Sequence, residues 1–376
     1  MNRKTTISGF QFFCMIFLFE VGTSSLYGLA SDAKQDAWIS LLLASFFGCI
    51  LFYVYIKLFE LFPEQTFTKV TQEILGENAG KIVAIVYLIY FIYIAARDLR
   101  DFEELLVITI FNASSLILIG IFMMFVVMYG AHKGLETFAR ANEFIFILII
   151  IIVLIIVGFE SVSKIYQIDN IRPVLENGWK PVIKASFPLT TAFPFGEVIV
   201  FTMIMPHLNK TNKALKIGIP ALIFSGMVLI FFTLKNIMIL GVSVYERATF
   251  PLLTAISYIN IANFVQRLDP LIVILMVIGG FVKIFLFYYC AVTISSELFK
   301  VKKNSDVIYP ISFLVVISSL WIAPNVLHHF KEGLEIVPYY LHIPFQMIIP
   351  TALLLIAFIQ KKTKVKNEME GDKSEP

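Results

Sequence analysis

The chain has 376 residues, of which 58% are hydrophobic and only 15% are charged, and 37 of them are phenylalanine. A soluble protein could not keep that much apolar surface from water, whereas a lipid bilayer accepts it. The net charge of +3 is too small to indicate a nucleic-acid partner. The composition therefore predicts an all-α integral membrane protein and argues against a soluble enzyme.

Apolar segments long enough to cross the hydrocarbon, roughly 20 residues each, recur along the whole chain. In chain order they are 8–30, 37–62, 80–110, 116–131, 136–159, 186–207, 217–241, 270–298, 307–323 and 338–360. These segments are too long to be barrel strands, and apolar and polar residues do not alternate along them as they do in such strands. We therefore predict about ten transmembrane helices in one polytopic domain over residues 1–360. The polar residues 361–376 are expected to form a short, charged and disordered cytoplasmic tail.

The basic residues outside the spans indicate the orientation. Most of them fall in the tails and in the loops on the side of the two termini, which the positive-inside rule assigns to the cytoplasm. Both termini are therefore predicted to be cytoplasmic. The first span has no small-residue cleavage pattern and is not expected to be a signal peptide. Lys235, near the outer end of span 7, is expected to extend its ammonium to water.

Two spans are interrupted at mid-depth. Glu20 begins a polar, glycine-containing stretch over 20–25 in span 1, and Pro188 and Pro194 lie in the stretch 188–197 of span 6. Proline and glycine weaken a helix, and the freed backbone groups need partners, so we expect a cavity there. Breaks in the first helix of each five-helix half are typical of a 5+5 inverted-repeat transporter. The alternative is close helix packing with simple proline kinks.

Two short motifs carry a family resemblance. The segment 172–181, Arg-Pro-Val-Leu-Glu-Asn-Gly-Trp-Lys-Pro, followed by 193–197, Phe-Pro-Phe-Gly-Glu, resembles the B subunit of bacterial spore germinant receptors. These are endospore germination permeases, related to amino acid/polyamine/organocation transporters, and the similarity extends over nearly the whole chain. It implies a nutrient-sensing subunit that acts beside A and C subunits in the spore's inner membrane.

The same resemblance implies an amino-acid-sized ligand between spans 1, 3, 6 and 8. We expect a neutral amino acid such as L-alanine, with a sugar or nucleoside as the open alternative. An ordinary proton-coupled amino acid permease is the competing function. A membrane enzyme or scaffold is a third, but no intramembrane metal pair or Ser/His dyad is evident. No cofactor, metal or catalytic residue is expected, because the three cysteines lie in apolar runs without metal-ligand spacing.

The interrupted spans supply most of the predicted ligand contacts. Backbone and hydroxyl donors at the break of span 1 suit a carboxylate, and the span 6 break is expected to shape the pocket for the ligand's side chain. A tyrosine of span 3 is added as a pocket candidate. The predicted ligand-binding residues are Gly22, Thr23, Ser24, Tyr90, Thr191, Phe193, Phe195 and Gly196.

Three charged residues inside the membrane are predicted to act in coupling or gating, because burying an ion there is costly. Lys283, in the middle of span 8, is placed where related sodium-coupled transporters hold a cation. Glu20 is expected to be its partner or to carry a proton. Glu197 either holds the unwound backbone of span 6 or meets a ligand amine. For Lys283 and Glu20 the alternative is a structural ion pair, or a lysine that extends its ammonium to water.

Span 3 carries a cluster of charges toward its outer end. Arg97–Asp101 and Arg100–Glu104 are spaced four residues apart, so each pair can neutralise itself along one helix face. We predict structural ion pairs, with an outer gate or a subunit contact as the alternative. The adjacent His328 and His329 point in different directions on a helix and are not expected to bind a metal.

Overall fold

Helices make up the regular structure of the described part of the chain. The computed structural model describes residues 6–111, 114–260, 268–301 and 305–371. The α-helices are α1 (Gly9–Val21), α2 (Ala37–Leu61), α3 (Phe67–Leu75), α4 (Glu77–Thr109), α5 (Leu116–Lys133), α6 (Leu135–Val162), α7 (Trp179–Lys184), α8 (Ala214–Leu240), α9 (Val242–Arg247), α10 (Pro251–Ile256), α11 (Asp269–Leu298), α12 (Ser305–Trp321), α13 (Val326–Lys331) and α14 (Ile349–Gly371).

The predicted spans correspond to helical segments of membrane-crossing length. Within the described residues, 9 helical stretches are long and apolar enough to cross a bilayer. The bent pair Ser305–Trp321 and Val326–Ile336, with an angle of 105° between its parts, raises the number to 10. The prediction of about ten transmembrane helices is therefore confirmed. Span 10 combines a π-helical segment, Pro338–Ile348, with α14.

The last helix is longer than the sequence pattern suggested. α14 continues to Gly371, so the polar residues 361–371 extend the span as helix and do not form a disordered tail. Lysine and glutamate, which dominate this stretch, are good helix formers, and no glycine or proline occurs before Gly371, where the helix ends. The remaining tail residues, 372–376, lie outside the described part of the chain.

Both predicted interruptions are present. In span 1, α1 ends at Val21 and a 3-10 turn follows over Thr23–Leu26, with Gly22 between them. In span 6, α7 runs into the π-helical segment Ala185–Thr190, and a 3-10 helix over Phe195–Met203 completes the crossing. The regular hydrogen-bond ladder cannot pass through the prolines of span 6, since they lack a backbone N–H.

The helices pack as two groups with the interrupted spans between them. α4 is packed against α11, α12, α5 and α3, which forms one group. α2 and α8 pack on one another, and α1 lies against α8, α6 and α11. Spans 1 and 6 therefore have one side on α2 or α8 and another on α11. Polar groups on spans 1, 3, 6 and 8 can meet in this arrangement.

Lys235 does not extend to water as predicted. Its side chain is buried, and its Nζ lies 2.6 Å from Oε1 of Glu160, which is fully buried in α6. The Tyr166 hydroxyl donates to the other Glu160 oxygen over 2.8 Å. The Glu160 carboxylate thus stabilises the ammonium in place of hydration by water, and the pair joins span 5 to span 7.

Candidate ligand-binding site

A buried ion pair joins span 6 to span 8 at the centre of the molecule. Lys283 Nζ lies 2.5 Å from Glu197 Oε2, and both side chains are inaccessible. The ammonium also lies 4.3 Å from the centre of the Phe193 ring and 5.4 Å from that of Phe19, close enough for cation–π attraction. The protein therefore supplies both the counterion and an aromatic wall for this lysine.

Glu20 is not the carboxylate that pairs with Lys283. It is fully buried in the last turn of α1, and neither carboxylate oxygen has a hydrogen-bond partner among the described residues. The ion pair instead forms with Glu197, because the 3-10 segment of span 6 brings this residue directly onto α11. The predicted partner for Lys283 was therefore wrong, although the predicted carboxylates and the lysine all lie in the buried interior.

A backbone contact between two glycines fixes the break of span 1 against α11. A Cβ atom added to Gly22 would lie 2.6 Å from the carbonyl oxygen of Gly279, and one added to Gly279 would lie 2.5 Å from Cα of Gly22. Side chains at either position would separate the two helices. The close approach sets the position of Lys283, which lies about one helical turn beyond Gly279.

A small cavity of about 40 Å³ lies between spans 1, 3, 6 and 10 and the turn that follows α13. Among the described residues it is lined by Tyr27, Ile94, Arg97, Asp98, Asp101, Phe193, Glu197, Phe330, Gly333, Leu334, Val337 and His342. Three carboxylates and one guanidinium border a space of a few atoms, and such charge density is expensive to bury without a function or a full set of partners.

Aromatic side chains close this cavity toward a wider one. Tyr27, with ring-centre distances of 5.5 Å to Phe193 and 5.6 Å to Phe330, borders both spaces together with these two rings. The wider cavity measures about 300 Å³ and is bordered by the loops that follow spans 1 and 7. The three rings form an aromatic closure between this wider cavity, the vestibule, and the inner cavity.

The charges of span 3 are paired differently from the prediction. Arg100 Nη2 lies 2.7 Å from Glu104, the spacing expected along one helix. Arg97 does not pair with Asp101: it reaches Glu332 at 3.8 Å and donates to the carbonyl of His329 over 3.0 Å.

Asp101 has a partner outside its own helix. Its Oδ1 lies 2.5 Å from Nε2 of the fully buried His329. The predicted Arg97–Asp101 pair was wrong because α13 and the turn after it place a histidine and a glutamate against the C-terminal half of span 3. Since Arg97 and Asp101 both line the cavity, they belong to the candidate site as well as to the packing of span 3.

Several predicted ligand contacts lie beside the cavity and not on its wall. The Thr191 hydroxyl donates to the Ser186 carbonyl over 2.9 Å, which satisfies a backbone group at the break. Tyr90 lies 2.8 Å from His342 Nδ1. Ser24 is fully buried, and its hydroxyl oxygen has no hydrogen-bond partner among the described residues. Thr23 lies 3.5 Å from Asp98 Oδ1, a long contact.

Two other predicted residues face the protein interior. Phe195 is fully buried and packs toward Gly48 and Gly226 of the neighbouring spans 2 and 7. Gly196 lies against the side-chain amide of Gln346. Of the eight predicted ligand-binding residues, Phe193 therefore lines the inner cavity, as do Glu197, Arg97 and Asp101 from the other predicted groups.

The sequence contained a signal for one lining residue that the prediction passed over. In the span 3 cluster the i,i+4 rule gives Arg97 and Arg100 carboxylate partners, but the residues four positions from Asp98 are Ile94 and Phe102. Asp98 is thus a carboxylate without a counterion on its own helix. Tyr27, Phe330 and His342 carry no such signal, because only the three-dimensional fold brings them to the cavity.

A tyrosine of span 2 holds the unwound part of span 6. The Tyr55 hydroxyl donates to the Gln346 carbonyl over 2.6 Å and lies 3.3 Å from the Gly196 carbonyl. We expect Tyr55→Phe to lower the free energy of unfolding by about 1–3 kcal/mol, since buried carbonyls lose their donor. Thermal unfolding in lipid nanodiscs measures this. Tyr53→Phe on the exposed face of the same helix is the control, and equal shifts for the two variants would contradict the assignment.

Comparison with known proteins gives a consistent assignment. The model of the spore permease family, which is described as spore germination protein, matches residues 6–327. Spore germination protein KB of Bacillus subtilis is 37% identical over 371 residues, which is 99% of this chain and 100% of that protein. Spore germination protein YndE of the same organism is 24% identical and covers 81% of this chain and 84% of its own length.

A solved structure shows the same fold at low sequence identity. MHP1, a nucleobase-cation-symport-1 family transporter in a closed conformation with bromovinylhydantoin bound, superposes with a TM-score of 0.63 at 14% identity. The match covers 88% of this chain and 75% of the transporter. The transporter fold with interrupted spans 1 and 6 is thereby confirmed, and the homologues are permease-type membrane proteins. The chain is an integral membrane protein that belongs to the spore germination permease family.

Proposed function

We propose that this protein is the membrane subunit of a nutrient germinant receptor that binds a small, amino-acid-like germinant at mid-membrane. Residues 1–360 act as one transmembrane unit in the spore's inner membrane, with both termini on the core side. Ligand binding triggers germination together with an A and a C subunit. The relatives support this role, since they are spore germination proteins over nearly the full length of the chain.

The observation that carries the ligand-binding role is the closed inner cavity. It combines partly unpaired polar groups with an aromatic closure, Tyr27, Phe193 and Phe330, that separates it from a vestibule. A site of this kind has at least two states, closed and open, and a ligand that binds one of them better shifts the equilibrium toward it. Partner subunits can then respond to the population of the bound state without any solute crossing the membrane.

The site residues divide between the two ends of the ligand. The candidates for a ligand carboxylate are Ser24, with a buried hydroxyl that lacks a partner among the described residues, and the backbone at Gly22 and Thr23; these three residues lie beside the inner cavity and not on its wall. Phe193 and the backbone near Thr191 bound the space for the side chain. A neutral amino acid such as L-alanine fits these requirements.

A proton-coupled amino acid permease is the second candidate. The transporter fold and the buried carboxylate of Glu20, whose oxygens have no hydrogen-bond partner among the described residues, favour it. A carboxyl group in this setting can take up and release a proton when water reaches it in an open state.

Uptake and binding measured on the same preparation separate the two functions. Radiolabelled L-alanine is offered to proteoliposomes that contain the full chain alone, and binding is followed in parallel by thermal shift. The receptor role predicts saturable binding without concentrative uptake. Concentrative uptake that Glu20→Gln abolishes would establish the permease.

The same experiment tests the role of Glu197. In Glu197→Gln the carboxylate that holds Lys283 is lost, and we expect ligand binding to weaken at least tenfold because the lysine is left buried without its counterion. Glu136→Gln, which removes one partner of an exposed ion pair with Arg140, is the matched control and is expected to bind as the wild type does. Unchanged binding in Glu197→Gln would remove this residue from the site.

A further inference from the structure

The three carboxylates that line the inner cavity are not equivalent. Glu197 is paired with Lys283 at 2.5 Å, and Asp101 lies 2.5 Å from His329. Asp98 has one long contact, 3.5 Å from the Thr23 hydroxyl to its Oδ1, and its Oδ2 has no hydrogen-bond partner among the described residues. Its side chain is only 3% exposed. A carboxylate in this environment needs a donor or a cation to offset the loss of hydration.

The charges around the cavity leave room for one more cation. Three carboxylates, those of Asp98, Asp101 and Glu197, line the cavity with Arg97, while Lys283 and Glu332 lie behind this wall as ion-pair partners of Glu197 and Arg97. Each of these cations already has its own partner: Glu332 for Arg97 and Glu197 for Lys283. Asp101 has the His329 ring as its partner, so among the carboxylates that line the cavity Asp98 is the one without a partner of its own.

Size and wall chemistry narrow the identity of that cation. The inner cavity of about 40 Å³ holds a group of only a few atoms, while the 300 Å³ vestibule beyond the aromatic closure has room for the rest of a small molecule. Tyr27, Phe193 and Phe330 border the cavity, and aromatic faces attract ammonium groups. A carboxylate placed here would meet Asp98 at short range and be repelled.

We propose that Asp98 binds the primary ammonium group of the ligand, and that the ligand class is therefore small primary amines, with amino acids among them. The inference rests on the proposed function and makes it more specific: the ammonium lies between Asp98 and the aromatic closure, and the ligand's remaining polar groups point away from Asp98. Uncharged sugars and nucleosides, which have no ammonium, are outside this class.

Amine dependence of binding to the wild-type protein is the first test. The full chain in lipid nanodiscs is titrated with L-alanine, L-alaninol, L-lactate and glucose, with thermal unfolding as the readout. L-Lactate keeps the carboxylate of L-alanine but has a hydroxyl in place of the ammonium, and L-alaninol keeps the ammonium without the carboxylate. We expect L-alanine or L-alaninol to stabilise the protein saturably, and L-lactate and glucose to leave it unchanged.

Substitution of Asp98 is the second test. Asp98→Asn keeps the size of the side chain and removes its charge, and we expect amine binding to weaken about 10- to 100-fold, as for loss of a hydrogen bond to a charged group. Glu103→Gln is the matched control: Glu103 is equally buried on the same helix but accepts from Ser319 and does not line the cavity. We expect its amine binding to change less than threefold.

Three results would overturn the proposal. The first is that neither amine stabilises the wild type, whether or not glucose or L-lactate does. The second is equal amine binding in Asp98→Asn and the wild type. The third is saturable stabilisation by NaCl or KCl that competes with the amine. The last would indicate an inorganic cation site. Should Asp98→Asn fail to fold, the selectivity of the wild type for L-alanine over L-lactate still decides the question.

Different results would remove the ammonium site and the receptor role. Saturable binding of glucose without amine binding would remove the ammonium site and leave a nutrient receptor in place. Spores that lack this chain and still germinate normally with every nutrient would remove the receptor role. An amine effect that Asp98→Asn abolishes would establish the site in either case.

Discussion

Lys283→Met is expected to destabilise the protein by about 3–5 kcal/mol and to abolish the response to ligand. The substitution removes the cation 2.5 Å from Glu197 Oε2 and leaves a carboxylate buried without its counterion. Methionine matches the length of the lysine stem, so packing against Phe19 and Phe193 is largely kept. Thermal unfolding in nanodiscs measures the stability, and germination of spores that carry the variant measures the response.

A double variant separates the cost of the unpaired charge from the cost of losing the pair. Lys283→Met with Glu197→Gln leaves no uncompensated charge, so its loss of stability should be smaller than the sum of the two single losses. Lys57→Met is the control, because that lysine pairs with Glu60 on a partly exposed face and should shift stability by less than about 0.5 kcal/mol. A Lys283→Met protein of normal stability and full ligand response would refute a role for the pair.

Gly279→Ala is the second substitution expected to have a large effect. The new Cβ would lie 2.5 Å from Cα of Gly22, so the backbone of α11 or of span 1 must move. Overpacking of this kind costs about 1–3 kcal/mol, and more where backbone must shift to relieve it. Because Lys283 lies on the same helix one turn away, the displacement also disturbs its pairing with Glu197. We expect reduced thermal stability and loss of ligand binding.

The neighbouring glycine provides the control. At Gly280 a Cβ would have Thr23 Cγ2 at 3.9 Å as its nearest neighbour, an ordinary contact. Alanine is also the better helix former, so Gly280→Ala should be neutral or slightly stabilising. Equal damage from the two substitutions would mean that helix α11 tolerates no change here for reasons other than the contact with Gly22. Little effect from Gly279→Ala would show that spans 1 and 8 can separate freely.

The local pattern of apolar runs, prolines and glycines predicted the spans and their interruptions, because a helix is determined by residues within one or two turns of each other. The prolines of span 6 and Gly22 of span 1 act through the backbone beside them, so their effect could be read directly. Ion pairs between different helices cannot be predicted in this way, because they depend on how the helices pack. Glu20 and Glu197 both reach the buried interior, and the sequence alone did not show which of them meets Lys283.

The same limit explains the charges of span 3. The pair Arg100–Glu104 lies on one helix and follows from its spacing. Arg97 and Asp101 have the same spacing but contact Glu332 and His329, which are more than two hundred positions away in the chain. The hydropathy pattern ends span 9 at residue 323, but it does not show that the segment after the bend between α12 and α13 folds back onto span 3.

The segment after that bend also joins the inner cavity to the protein surface. His329 contacts Asp101, Phe330 packs on Tyr27 of the aromatic closure, and Glu332 reaches Arg97. These residues lie within about one helical turn, so displacement of Phe330 from the closure also strains both contacts with span 3. A few residues further on, Ile336 is 50% exposed. A protein that binds the segment near Ile336 in only one of its positions would change the affinity of the inner cavity for the ligand. By reciprocity, the ligand would change the affinity of the segment for that protein by the same factor.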